Sequence, residues 1–137
     1  MNLIPIFVVD RPVSLRILSE LSDFNGQYGI LSHAFTTDRF KTDFSNYSGA
    51  KIKVGDSGIY QGKDIPYKEL FDRYLKMGVT HGIIKDYYRN PLKTLKSAKR
   101  AIKYYKRHEL VREFILVGVA QGNSVDDYLQ RSETSWV

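Results

Sequence analysis

"KIKVGDSGIYQGKDIPYKELFDRYLKMGVTHGII", residues 51–84, holds a complete strand–helix–strand unit. Residues 50–58 read as a strand with Ile52 and Val54 on one face. The stretch "IPYKELFDRYLKMG" (65–78) predicts a helix. Pro66 opens it, Leu70, Phe71, Tyr74 and Leu75 form an apolar stripe, and Gly78 closes it. The chain then returns as a second strand, "VTHGIIKDYY" (79–88). A crossover helix between two apolar strands is the signature of a parallel βαβ unit.

The same alternation extends in both directions. Upstream, "IPIFVVD" (4–10) is a β-branched run ending in an acid. It leads into "RPVSLRILSEL", where Val13, Ile17 and Leu21 fall at helical spacing, Pro12 lies in the first turn and Asp10 is a candidate cap. "YGILSHAF" (28–35) is another strand, and the aperiodic polar residues 36–49 predict a loop or short helix. Downstream, "NPLKTLKSAKRAIKYYKRH" predicts the longest helix, capped by Asn90 and opened by Pro91. Its expected buried stripe is Leu92, Leu95, Ala98, Ile102 and Tyr105. "REFILVGVAQG" (112–122) is a fifth strand, apolar enough in its middle to suggest cover on both faces. "NSVDDYLQ" begins one more helix, with Ser124 and Asp127 at capping-box spacing. The fold class expected is α/β, with a parallel sheet. A doubly wound sheet and part of a (β/α)8 barrel both fit this order.

The 137 residues make a single domain. No apolar run approaches the roughly 20 residues needed to span a bilayer. With no cysteine, disulfides and thiolate metal sites are excluded, and an intracellular, cytoplasmic setting is expected. The formal charge of +6 favours a polyanionic partner. Lys93, Lys96, Arg100, Lys103 and Arg107 recur at alternating steps of three and four, forming one basic helical stripe. It reads either as a solvated outer face or as a brace for nucleic acid.

Ligands of parallel α/β sheets bind at the C-terminal ends of the strands. There the sequence puts Asp10, then Asp56, Ser57 and Gly58, then Asp86 with Tyr87 and Tyr88, then Gln121, Gly122 and Asn123. Caps and turns account for Asp10 and Asn123. Asp56 precedes its helix by too many residues to be a cap. Two carboxylates on neighbouring strand ends are an arrangement from which an acid and a base can be divided. His33, His81 and His108 have no metal-ligand spacing.

At this level a family resemblance emerges. "GDSGIYQ" (55–61) resembles the DSGGFQ-type signature of tRNA-guanine transglycosylases, and "VGVAQG" (117–122) resembles their VQGG-type strand end. Between them, "GIIKDYY" stands where that family has a strand closing on an aspartate. The wording is most similar to a divergent branch that inserts 7-deazaguanines into DNA. The resemblance implies a partial (β/α)8 barrel that exchanges guanine for a 7-deazaguanine in tRNA or DNA. It implies that Asp56 is the catalytic acid/base, and that Ser57, Gly58, Tyr60 and Gln61 contact the base, Tyr60 by stacking. It further implies that Asp86 bonds the guanine edge, and that Gln121 and Gly122 read its carbonyl. The family's zinc site and nucleophilic aspartate come later in the barrel, so no cofactor is expected here. Ile59 and Asn123 replace glycines of the family pattern. A half-barrel is therefore expected, from a truncated gene or a split protein, completed by a second chain or by a homodimer. The other readings are a nucleic-acid-binding module without chemistry, or an inactive remnant.

Overall fold

The computed structural model describes residues 3–20, 25–59 and 62–120. Five strands alternate with four helices: β1 (Ile6–Val8), α1 (Pro12–Ser19), β2 (Gly29–His33), α2 (Asp38–Asn46), β3 (Ile52–Asp56), α3 (Tyr67–Met77), β4 (His81–Ile83), α4 (Pro91–Arg107) and β5 (Ile115–Val117). A 3-10 turn at Leu110–Arg112 precedes β5. All strand pairs are parallel, and the order in space is the order in the chain, β1-β2-β3-β4-β5.

That order separates the two architectures left open by periodicity. A doubly wound sheet needs a point where strand order reverses. Among the described strands none exists, so each crossover steps in the same direction. Because parallel crossovers are right-handed, all four helices fall on one face. Each helix contacts the next along the chain, α1 with α2, α2 with α3 and α3 with α4. The fold is α/β and consistent with a partial β/α barrel.

Alternation along the strands then assigns the faces. Ile30 on β2, Lys53 and Gly55 on β3 and Gly82 on β4 look toward the helices and are buried. The closest approach is made by Tyr74 of α3. Gly55 and Gly82 are paired in register, and a Cβ at either would come within 2.7 Å of the Tyr74 ring. Two adjacent strand glycines therefore let an aromatic ring lie flat on the sheet. The Tyr74 hydroxyl, fully buried, donates to the Ile83 carbonyl at 2.6 Å. Around it Phe71 gathers Tyr67, Tyr104 and Phe114 with ring centroids 5.1–5.7 Å apart, in tilted or edge-on contact.

Lys53 lies on the covered face, between the expected apolar positions Ile52 and Val54. Its Nζ donates to the Ser45 carbonyl at 2.7 Å, in the last turn of α2, where a cation is favoured. Burial pushes its ammonium group down from the ordinary lysine value.

Several expected faces are corrected. In α1 the buried residues are Leu15 and Leu18, while Val13 and Ile17 are exposed and Arg11, not Asp10, occupies the cap position. The helix flanks the edge strand β1, so its outward side meets no further layer. In α3, Leu75 is exposed, and Tyr67 and Met77 are buried with Leu70, Phe71 and Tyr74. In α4 the buried stripe is Thr94, Ser97, Ala98 and Ala101, and Leu92 is exposed. Small residues bring this helix close to the aromatic cluster, and their hydroxyls are used: Ser97 bonds Tyr67, and Thr94 Oγ1 accepts the Tyr87 N–H at 2.9 Å. The fifth strand is half-exposed, with Ile115 57% accessible, so the described helices cover it on one face. Residues 36–49 contain α2, capped by Thr37, whose Oγ1 accepts the Phe40 N–H at 3.1 Å. The helix expected after Asn123 lies outside the described residues. Among the described residues no helix is long and apolar enough to cross a membrane.

Candidate functional site at the strand ends

Three successive strands deliver polar groups to one rim. Asp10 follows β1 by two residues, His33 ends β2 and Asp56 ends β3. Parallel register pairs His33 directly with Asp56, and both side chains leave the sheet on the face away from the helices. With Ser32, Val8 and Leu31 they line a cavity of about 190 Å³. Val8 and Leu31 provide its apolar wall.

The two central groups have complementary hydrogen-bonding capacity. Asp56 Oδ1 accepts the N–H of Ser57 at 2.8 Å, which orients the carboxylate and leaves its other lone pairs for a ligand. His33 Nδ1 accepts the Phe35 N–H at 3.1 Å. With Nδ1 accepting, a neutral imidazole carries its proton on Nε2 and offers a donor there. An acceptor and a donor thus stand side by side at adjacent strand ends. On the opposite, helix-facing side of β2, in phase with Ile30, the Ser32 hydroxyl is 1% exposed and lacks a hydrogen-bond partner among the described residues.

The structure divides the sequence-expected site. Asp56 is at the rim as expected. Ser57 is 3% exposed, packed behind the rim rather than presented on it. Gly58 has φ of +77° and stands against the Phe35 ring, so its identity is set by backbone conformation and close packing. Asp86 does not end a strand: β4 stops at Ile83, and Asp86 sits in the following connection, where it accepts a hydrogen bond from Thr94 Oγ1 at 3.4 Å. The second carboxylate lining the strand-end cavity is Asp10 instead. Tyr60, Gln61, Gln121 and Gly122 lie outside the described residues. The basic stripe Lys93, Lys96, Arg100, Lys103 and Arg107 is exposed along the whole of α4.

Two residues with a structural part in the rim were not singled out by motif: Asp64 and Lys85. Lys85, 6% exposed, donates to Asp64 Oδ1 and to the Ile65 carbonyl, each at 2.9 Å, and lies 4.7 Å from the Tyr67 ring centroid. The Tyr87 hydroxyl donates to Asp64 Oδ2 at 2.8 Å. Partial burial alone would raise the Asp64 carboxyl. The hydrogen bonds from Lys85 and Tyr87, with the Lys85 and Lys93 charges, outweigh it and hold the group below the usual carboxylate range. This network ties the connection after β3 to the connection after β4. The only sequence signal for it is a lone lysine after an apolar run, "GIIK" (82–85).

Among the described residues no group of three or more His, Asp or Glu side chains is arranged to hold a metal ion. The chemistry on offer at the rim is recognition by hydrogen bonds, with a carboxylate and an imidazole able to exchange a proton with a bound group. No protein-family model, no curated protein and no solved structure matches this chain.

Proposed function

We propose that this chain is the base-recognition part of a transglycosylase-like barrel, one that exchanges guanine for a 7-deazaguanine in tRNA or DNA. One observation carries the reading: Asp56, the signature aspartate of the DSG motif, lines a strand-end cavity beside the register-paired His33. A flipped-out guanine exposes N1–H and amino donors next to the O6 acceptor. The Asp56 carboxylate accepts from the donors, and His33 Nε2–H serves O6. The same pair suits a 7-deazaguanine, which keeps that edge. Asp56 is also the group that would take or return a proton as the glycosidic bond is remade. In the family that the motifs resemble, the covalent step belongs to a nucleophilic aspartate carried later in the barrel.

Calorimetric titration of guanine, a 7-deazaguanine and adenine into the whole chain tests this. Both guanines bind and adenine, whose edge has the opposite pattern, does not. Asp56→Asn and His33→Ala each weaken binding about tenfold or more, the equivalent of about 1.4 kcal/mol. Asp86→Ala weakens it less. Absence of binding by any purine would sink the assignment.

The exposed basic face of α4 favours a second reading, a nucleic-acid-binding module without chemistry. In that case affinity for an oligonucleotide falls steeply with salt and survives Asp56→Asn.

A further inference from the structure

Between the N-terminal turn of α3 and the middle of α4 lies a cleft of about 390 Å³. Pro66, Tyr67 and Tyr104 give it mostly apolar walls, and Lys68, Lys85 and Arg100 bring three cations to it. These cations are not equivalent. The Lys85 charge is met by Asp64 in an ion pair at 2.9 Å. Lys68 and Arg100 are exposed and have no such carboxylate partner among the described residues. Two unneutralised cations from different helices therefore converge on one apolar-walled groove. α3 begins, and Lys85 lies, just after the C-terminal ends of β3 and β4, the strand end that Asp56 and His33 also occupy. The cleft is in the helix layer, while those two side chains leave the sheet on its other face.

We infer that this cleft binds the sugar–phosphate backbone of a single-stranded nucleic acid, with a phosphate held between Lys68 and Arg100 and the adjoining sugar against Pro66 and Tyr104. The inference rests on the base-recognition reading for the position of the strand, and adds the backbone contact that the strand-end cavity does not supply. Arg100 offers a planar fork and Lys68 a mobile point charge, two complementary ways to meet phosphate oxygens. The walls contribute contact area without hydrogen bonds, so the cleft is indifferent to base identity. Arg100 thereby has a role distinct from the rest of the α4 stripe, because it alone of the five lines the cleft.

The test is fluorescence anisotropy of a short, mixed-sequence labelled single strand across a salt series, with DNA and RNA arms to separate the two sugars. Each phosphate contact on a single strand contributes a slope of about −0.7 in log affinity against log salt. The Lys68→Gln/Arg100→Gln pair, which removes both cations from that one phosphate, should flatten the slope by about 0.7, while the charge-matched pair Lys51→Gln/Lys76→Gln at the opposite end of the sheet should not. Circular dichroism checks that both variants are folded. An unchanged slope in the cleft variant, or an equal flattening in the control pair, overturns the cleft. If the wild-type chain binds no purine but the cleft variant still flattens the slope, the base-recognition reading falls and the cleft stands.

Discussion

Gly58→Ala isolates what the glycine of the DSG motif is for. Gly58 adopts φ of +77°, and a Cβ there would sit 2.2 Å from Cδ2 and 2.4 Å from Cε2 of Phe35. The Phe35 ring has little room to retreat, because the Arg73 guanidinium lies 4.5 Å from its centroid and is itself anchored to the Ala34 carbonyl at 3.2 Å. Left-handed backbone costs a residue with a Cβ about 1–2 kcal/mol. Overpacking against a held ring adds about 1–3 kcal/mol. Together the substitution should cost about 2–5 kcal/mol, a large part of a typical stability of about 5–15 kcal/mol. In urea, followed by far-UV circular dichroism, a slope of about 2 kcal/mol/M turns this into a midpoint lower by about 1–2.5 M. Repeating the substitution in a Phe35→Ala background removes the ring and should leave only the backbone part, about 1–2 kcal/mol. A cost within about 0.5 kcal/mol in the wild-type background would refute the conformational role and return Gly58 to the set of ligand contacts.

Three further outcomes are expected. Tyr74→Phe leaves the half-buried Ile83 carbonyl without its side-chain donor and should destabilise by about 1–3 kcal/mol in chemical denaturation. Asn90→Ala removes the acceptor for the Lys93 N–H at the start of α4 and should cost about 1 kcal/mol, with helicity lost at that end by hydrogen exchange. Asp64→Asn should show its effect through pH. The folded carboxyl is held below its unfolded value near 3.9, so its contribution is complete above that value and is lost as pH falls through the folded one. The stability gap between wild type and variant is therefore constant near neutral pH and narrows only in acid, below about pH 4. A gap that widened in acid would contradict the direction of the shift.

The α/β alternation was legible because its signals are local. Pro66 and Gly78 bracket α3, Asn90 and Pro91 open α4, and short β-branched runs lie between them. Helix faces were less legible. Counting apolar residues favours Leu92 and Val13, yet both are exposed, because α4 buries Thr94 and Ser97 through satisfied hydroxyls and α1 borders an edge strand. Strand ends were also blurred. "IIKDYY" looks like one continuous run, but β4 ends at Ile83, and the polar partners of Lys85 and Tyr87 take the chain away from the sheet.

By itself the sequence determined the five strand segments and the helices α1, α3 and α4, while leaving α2 open between a loop and a short helix. It also showed that one basic face runs along α4, and that an acid, a hydroxyl and a glycine stand at the end of the third strand. Those properties depend on neighbours within a turn or two of chain. Only the tertiary structure decided that strand order never reverses among the described strands, that His33 stands beside Asp56, and that Asp10 rather than Asp86 lines the same cavity. These depend on register and crossover direction, set by packing between residues far apart in sequence. The pairing of Gly55 with Gly82 beneath Tyr74 is the clearest case: each glycine alone reads as a weak point in a strand, and together they make the place where the helix layer meets the sheet.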